Sequence, residues 1–172
     1  MNALPAALCL RAIEPRDDAE VAAIIRETLA EFGCRGPGFA HADPEVDAMS
    51  AAYAHPGAGY FVIERDGVVL GCGGFAALDG ADPSEGVAEV RKMYFRPALR
   101  GLGAGKALLQ HILGSMAAQG YRRAYLETTT QMVAARALYE RFGFVEVQGN
   151  CGSTGHFGCD RFFAKDLAPS VD

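Results

Sequence analysis

The chain contains no tryptophan, and nowhere in its 172 residues is there a long unbroken apolar run. A membrane-crossing helix needs about 18 consecutive apolar residues, so that class is excluded. Cysteine is sparse: Cys9, Cys34, Cys72, Cys151 and Cys159 are odd in number and form no CxxC pair. A disulfide framework does not fit this pattern, and a reducing, cytoplasmic setting is expected. Positive charge is the minority sign, with 16 Lys+Arg against 21 Asp+Glu and a net charge of −5. General nucleic-acid binders carry a basic face, so no nucleic-acid partner is expected. An acidic chain can still hold an anion in a local basic pocket, and it mildly steers cations such as amines. No basic segment precedes the apolar start of "MNALPAALCLRAIEPRDD", which therefore reads as a tail leading into a strand and not as a signal peptide.

What remains is an ordinary globular composition, 50% apolar and 22% charged. The length suits one domain over residues 1–172, with terminal tails at residues 1–8 and 169–172. "LCLRAIEP" reads as a strand, and "RDDAEVAAIIRETLAEFG" as a helix with acids in its first turn and glycine at its end. "PEVDAMSAAYAHPG" reads as a short second helix. "YFVIERDGVVLGCGGFAAL" is a hairpin turning at Asp66–Gly67. "VAEVRKMYF" is a fourth strand, and the helix after it buries Ala104, Leu108 and Ile112 beside Leu109, Leu113 and Met116. "YRRAYLET" is a strand, "QMVAARALYERFG" a helix, and "FVEVQ" and "DRFFAKDL" are the last two strands. The order β-α-α-β-β-β-α-β-α-β-β predicts an α/β fold, a mixed sheet with helices on both faces.

Residues 96–109, "RPALRGLGAGKALL", run from a strand end into a helix through Gly101, Gly103 and Gly105. Such a turn binds anions, because unpaired N–H groups and the positive end of the helix dipole point outward. A nucleotide-cleaving P-loop is excluded, since Arg100 replaces its first glycine and Ala107 its metal-binding hydroxyl. A dinucleotide loop is excluded as well. Lys106 stands at its third glycine, and an antiparallel hairpin comes before it.

The remaining pattern is R-x-x-G-x-G at Arg100, Gly103 and Gly105, joined downstream by "ALYERFGF" with Tyr139, Glu140, Gly143 and Phe144. In these two motifs, and in element order, the chain resembles the GNAT superfamily of acyl-CoA-dependent N-acetyltransferases. The resemblance is strongest over residues 87–147. It implies a sheet of about seven strands whose fourth and fifth members splay apart. It also implies acetyl-CoA as co-substrate, no metal, and a small-molecule or peptide amine as acceptor. The pantetheine arm would pair with the backbone edge of Met93, Tyr94 and Phe95. The diphosphate would lie on the N–H groups of Arg100, Gly101, Leu102, Gly103, Ala104, Gly105 and Lys106, with Arg96, Arg100 and Lys106 supplying charge. Tyr139 is the expected general acid at the leaving sulfur. Glu127 resembles the base of ribosomal-protein N-terminal acetyltransferases, and Glu89 a base found on the fourth strand of other members. Period-two alternation places Glu89 on one face with Arg91 and Met93.

One departure stands out: Met132 occupies a position where the family often has asparagine, and residues 128–131 are candidates to replace its polar contact. His156 is a candidate to reach the substrate cleft, and His41 and Asp43 are candidates to line the acceptor pocket, with a helix N-cap before Pro44 as the simpler reading of Asp43. His156 and Cys159 are too few for a zinc site. Exposed last strands admit a homodimer. A non-catalytic acyl-CoA-binding or sensing module on the same fold is the alternative to an enzyme.

Overall fold

A computed structural model describes Pro5 and residues 7–168. Of the expected tails, residues 1–4, 6 and 169–172 lie outside the described residues. Strands β1 (Cys9–Ala12), β2 (Gly59–Arg65), β3 (Val68–Ala77), β4 (Val87–Phe95), β5 (Arg123–Thr128), β6 (Val145–Val147) and β7 (Arg161–Asp166) form one sheet in the order β1-β2-β3-β4-β5-β7-β6. Every neighbouring pair is antiparallel except β4–β5, which is parallel.

Helices α1 (Asp18–Glu31) and α2 (Met49–Ala52) cover one face, and α3 (Ala104–Ala118) and α4 (Val133–Arg141) the other. The first layer packs Val21, Ile24, Ile25 and Leu29 against Val62 and Cys72. The second packs Leu108, Leu109, Ile112 and Met116 against Ile63, Phe75 and Val90. Full burial of one such side chain is worth about 1.5–3 kcal/mol. The expected hairpin turn is present, with Asp66 and Gly67 both at positive φ (51° and 79°), the backbone that matches strand twist.

The expected second helix is mostly not α-helical. Residues Pro44–Ala48 form a 3-10 stretch before the single turn of α2. Val46 and Met49, three residues apart, are both fully buried, which suits three residues per turn better than 3.6.

Strand β4 carries the feature that shapes everything downstream. Its register with β3 slips, so Gly73 faces two residues, Lys92 and Met93. Lys92 sits at φ 49°, and its carbonyl accepts from the Tyr60 hydroxyl at 2.7 Å. A Cβ on Gly73 would crowd the Met93 Cβ at 3.0 Å, so a side chain there would press on the bulge. The extra residue reverses the alternation. Met93 and Phe95 pack with Ala88 and Val90 on the α3 side, whereas Tyr94 packs on the α1 side. The sequence expectation that Met93 shares a face with Glu89 and Arg91 is therefore wrong, because simple alternation ignores a bulge.

Strands β4 and β5 pair only at Val87–Arg123, Ala88–Ala124 and Glu89–Tyr125. Beyond Glu89 no ladder joins them, and they splay as expected. Two cavities open along the gap.

Candidate active site

The first cavity is a cleft of about 530 Å³ on the α3 and α4 side. Met93, Tyr94, Phe95, Arg100, Gly101, Gly103, Ala104, Gly105 and Lys106 all line it, opposite Ala134, Ala135, Leu138 and Tyr139. Gly101 and Gly103 hold φ 79° and 78°, a left-handed backbone that side chains disfavour. Gly105 serves a different purpose: a Cβ there would press on Leu138 at 3.3 Å and narrow the floor. The bond from Ala107 N–H to Gly103 O sets the start of α3, so the N–H groups of Ala104, Gly105 and Lys106 lie in its open first turn. An anion fits there.

The second cavity lies on the α1 side of the splay. Glu89, Lys92, Glu127, Thr128, Thr129, His156 and Cys159 line it, with Phe39 and Ala40. A ring nitrogen of His156 and one carboxylate oxygen each of Glu89 and Glu127 lie within 4.8 Å of one another. Glu89 is 3% exposed and accepts from Arg91 Nε at 2.6 Å. Burial pushes its pKa up, and the Arg91 charge only partly offsets that. Glu127 accepts from the Tyr125 hydroxyl and from Thr154 Oγ1, both at 2.9 Å. His156 Nε2 lies 2.9 Å from Asp43 Oδ2. Asp43 in turn takes the Lys92 ammonium at 2.7 Å, which also reaches Glu45 at 2.7 Å. The hydrogen bond to Asp43 raises the His156 pKa above its usual value, against the opposing effect of burial.

Tyr139 lines both cavities, as do Met93, Tyr94, Met132 and Ala135. Its ring packs against Phe144 and Phe163. Burial alone pushes its phenol up to about 12, so the proton stays on throughout the neutral range.

A sequence model of the acetyltransferase (GNAT) family matches residues 22–144. The chain belongs to the GNAT family of acetyltransferases. It is 36% identical over 167 residues to the Escherichia coli (strain K12) protein called "Uncharacterized N-acetyltransferase YjgM", covering 96% of this chain and 99% of that one. A GNAT-family acetyltransferase from Staphylococcus aureus Mu50 superposes with a TM-score of 0.80 at 20% identity, over 94% of this chain and 100% of that chain. A GNAT-superfamily phosphinothricin acetyltransferase from Sinorhizobium meliloti, solved with acetyl-CoA, gives 0.72 at 24% identity, over 94% and 89% of the two chains. The protein is thus an acyltransferase of the GNAT type, and its mixed seven-stranded sheet is the GNAT fold.

Within this GNAT frame most of the expected site residues come together, and three do not. Arg96 points away from the cleft, with its guanidinium 2.8 Å from Glu20 and 3.5 Å from Glu27. Leu102 is 43% exposed and does not line the cleft. His41 is absent from the lining of the second cavity, and its Nδ1 is buried without a partner among the described residues. Asp43 makes no side-chain capping bond. Its carboxylate goes to Lys92 and His156, because a buried ammonium and a nearby imidazole compete better than an N–H.

At the position of Met132, Thr128 Oγ1 lies 3.6 Å from the Met132 sulfur, and Thr128 and Thr129 both line the second cavity. Thr130 instead binds Asp160. Sequence reasoning missed Lys92. The available signal was "VRKMYF", two adjacent charges within a strand, which a regular pleat would send to opposite faces.

Proposed function

We propose that this GNAT protein transfers the acetyl group of acetyl-CoA to a primary amine by direct attack within a ternary complex. The observation that carries the reading is the position of Tyr139. It sits where the anion-binding cleft meets the cavity that gathers Glu89, Glu127 and His156. The diphosphate occupies the glycine turn and the pantetheine arm runs along the open edge of β4. The thioester thereby reaches the junction. The S. meliloti neighbour, solved with acetyl-CoA, supports the choice of donor. Backbone N–H groups at the β4 bulge face the developing oxyanion. Glu89 and Glu127 draw in the ammonium form of the acceptor. Tyr139 protonates the departing thiolate.

An acyl-cysteine route is disfavoured. Cys159, the cysteine lining the acceptor-side cavity, is pushed up to about 12 by burial and stays a thiol. The reaction needs no metal, so extensive chelation is expected to leave turnover unchanged, as measured by thiol release before and after dialysis against EDTA. Among the described residues no helix is long and apolar enough to cross a membrane, and a cytoplasmic small-molecule or peptide amine is the acceptor class this reading favours. Edge strand β6, with Val145 67% exposed, is where a homodimer would form. A monomer mass by light scattering at working concentration rules it out.

The deciding experiment is thiol release from acetyl-CoA against a panel of amines, peptides and amino sugars. Amine-dependent release supports the enzyme. Tight acetyl-CoA binding with no release for any amine supports the non-catalytic alternative.

Arg100 provides a sharper test of the cleft. Its guanidinium is bound bidentately to Glu31 at 2.5 and 2.7 Å, and it also donates to the Phe95 carbonyl. A phosphate must compete with that carboxylate. Glu31→Gln is therefore expected to lower the KM for acetyl-CoA by up to about threefold, since exposed ion pairs are weak. Arg100→Ala is expected to raise it by about tenfold, with kcat little changed. Steady-state kinetics with varied acetyl-CoA read both.

A further inference from the structure

The acceptor-side cavity gathers three candidate proton acceptors, and the proposed function leaves open which of them works. Glu89 is committed to Arg91 at 2.6 Å. Both oxygens of Glu127 already accept, one from Tyr125 and one from Thr154. His156 differs from both. One ring nitrogen, Nε2, faces Asp43 at 2.9 Å, which fixes the tautomer: Nε2 carries the hydrogen and Nδ1 keeps its lone pair. Asp43 cannot swing away, because the Lys92 ammonium holds it at 2.7 Å, and Lys92 is fixed by the pinned bulge in β4. The loop bearing His156 is tied down as well. Gly158 N–H donates to Gly38 O at 3.0 Å, and the Phe39 ring lies where a Cβ on Gly158 would fall.

We infer that His156, oriented by Asp43, is the base that takes the proton from the acceptor amine, and that Glu89 and Glu127 hold the ammonium beside it. Asp43 and Lys92 are positioning residues. This rests on the acetyltransferase reading above and names the base within it.

The ammonium gives one proton to Nδ1 of neutral His156. The freed nitrogen lone pair forms the N–C bond, and the carbonyl π pair moves to oxygen. Collapse restores C=O and breaks C–S, and the electron pair leaves on sulfur. Sulfur takes the Tyr139 phenol proton, and the new amide nitrogen returns its extra proton to the tyrosinate through water. His156 releases its proton to solvent. Ammonium plus thioester thus yields amide, thiol and one proton.

The groups facing His156 are Asp43 from the loop before α2, Glu89, Arg91 and Lys92 from β4, Glu127 from β5, and Cys159 from its own loop. An imidazole is the better acceptor at neutral pH, because its ordinary pKa near 6.5 lies about two units closer to working pH than a carboxylate's.

The test is the pH dependence of kcat/KM for an amine the wild type acetylates, in wild type, His156→Ala, His156→Gln and Asp43→Asn, with acetyl-CoA affinity and Tm measured alongside. The wild-type rate should climb with pH through the His156 titration. Both His156 variants should lose about 10²–10³-fold in kcat and lose that limb. Added imidazole should restore part of the rate in His156→Ala, with acetyl-CoA affinity unchanged. Asp43→Asn removes the carboxylate that stabilises the imidazolium, so its limb should move to lower pH. If the His156 variants lower Tm but keep the limb and rates within about threefold, His156 is a loop staple and the inference is overturned. A wild type that acetylates no amine overturns the functional reading instead.

Discussion

Tyr139→Phe is expected to lower kcat by about 10²-fold while changing the KM for acetyl-CoA by less than about twofold. The substitution removes one hydroxyl and keeps the ring, which still packs against Phe144 and Phe163 at centroid distances of 5.9 and 6.4 Å. Stability should therefore not fall. The size of the effect follows from the acidity of the group. General acid catalysis is worth about 10²–10⁴-fold, and two facts hold this case to the low end. A phenol pushed up to about 12 is a reluctant donor. A thiolate, with an ordinary pKa near 8.5 in cysteine, leaves well without help. The same raised pKa predicts that kcat of the wild type shows no loss from Tyr139 ionisation below about pH 10. Single-turnover thiol release across that range measures both. Wild-type turnover in the variant would sink the role and leave Tyr139 as a packing residue.

Lys92→Met is the second large effect, and it falls on stability. The Lys92 side chain is 2% exposed and bridges Asp43 and Glu45, both at 2.7 Å. Burial opposes its charge, but Tyr53 and those carboxylates together outweigh burial, and the net shift of its pKa is upward. Breaking a buried pair costs about 3–5 kcal/mol. Here the two acids keep side-chain exposures of 21% and 29%, so water takes over part of their solvation. The expected loss is about 2 kcal/mol, which for a chain of this size is a Tm about 4–8 °C lower. The sign with pH is set by Asp43, whose pKa is lowered: burial works to raise it, and His156 and Lys92 overcome that. A lowered carboxylate contributes stability above its unfolded value, lost as pH falls through its folded value. The gap between variant and wild type should therefore be widest near neutrality and narrow below about pH 4. Thermal melts at several pH values test it. An unchanged Tm at pH 7 would mean the bulge does not depend on the ammonium.

These two residues also mark how far the sequence could be read. Tyr139 was legible because a family motif could be matched by local spacing: four residues to Gly143 and five to Phe144, on a helix whose end the glycine dictates. The glycine turn was legible for the same reason, since a strand end, positive-φ glycines and a helix start are set within a dozen residues. Glu89 and Glu127 were found as candidates, but their partners were not. The period-two rule that placed Glu89 correctly failed three residues later, where Lys92 adds a residue to the strand.

By itself, the sequence determined most of the order of elements, the two-faced sheet and the glycine turn at the start of α3, each of which follows from periodicity or backbone preference acting between near neighbours. The place of Tyr139 at the cleft came from the family resemblance of the motif around it. The tertiary structure alone decided which polar groups meet. His156 and Asp43 are 113 positions apart and Lys92 and Glu45 are 47 apart. Only the parting of β4 from β5, together with one bulge, brings Lys92 and His156 to a single cavity with their acidic partners behind them. Such pairings depend on how strands are stacked and offset in space, and a linear pattern carries no record of that offset.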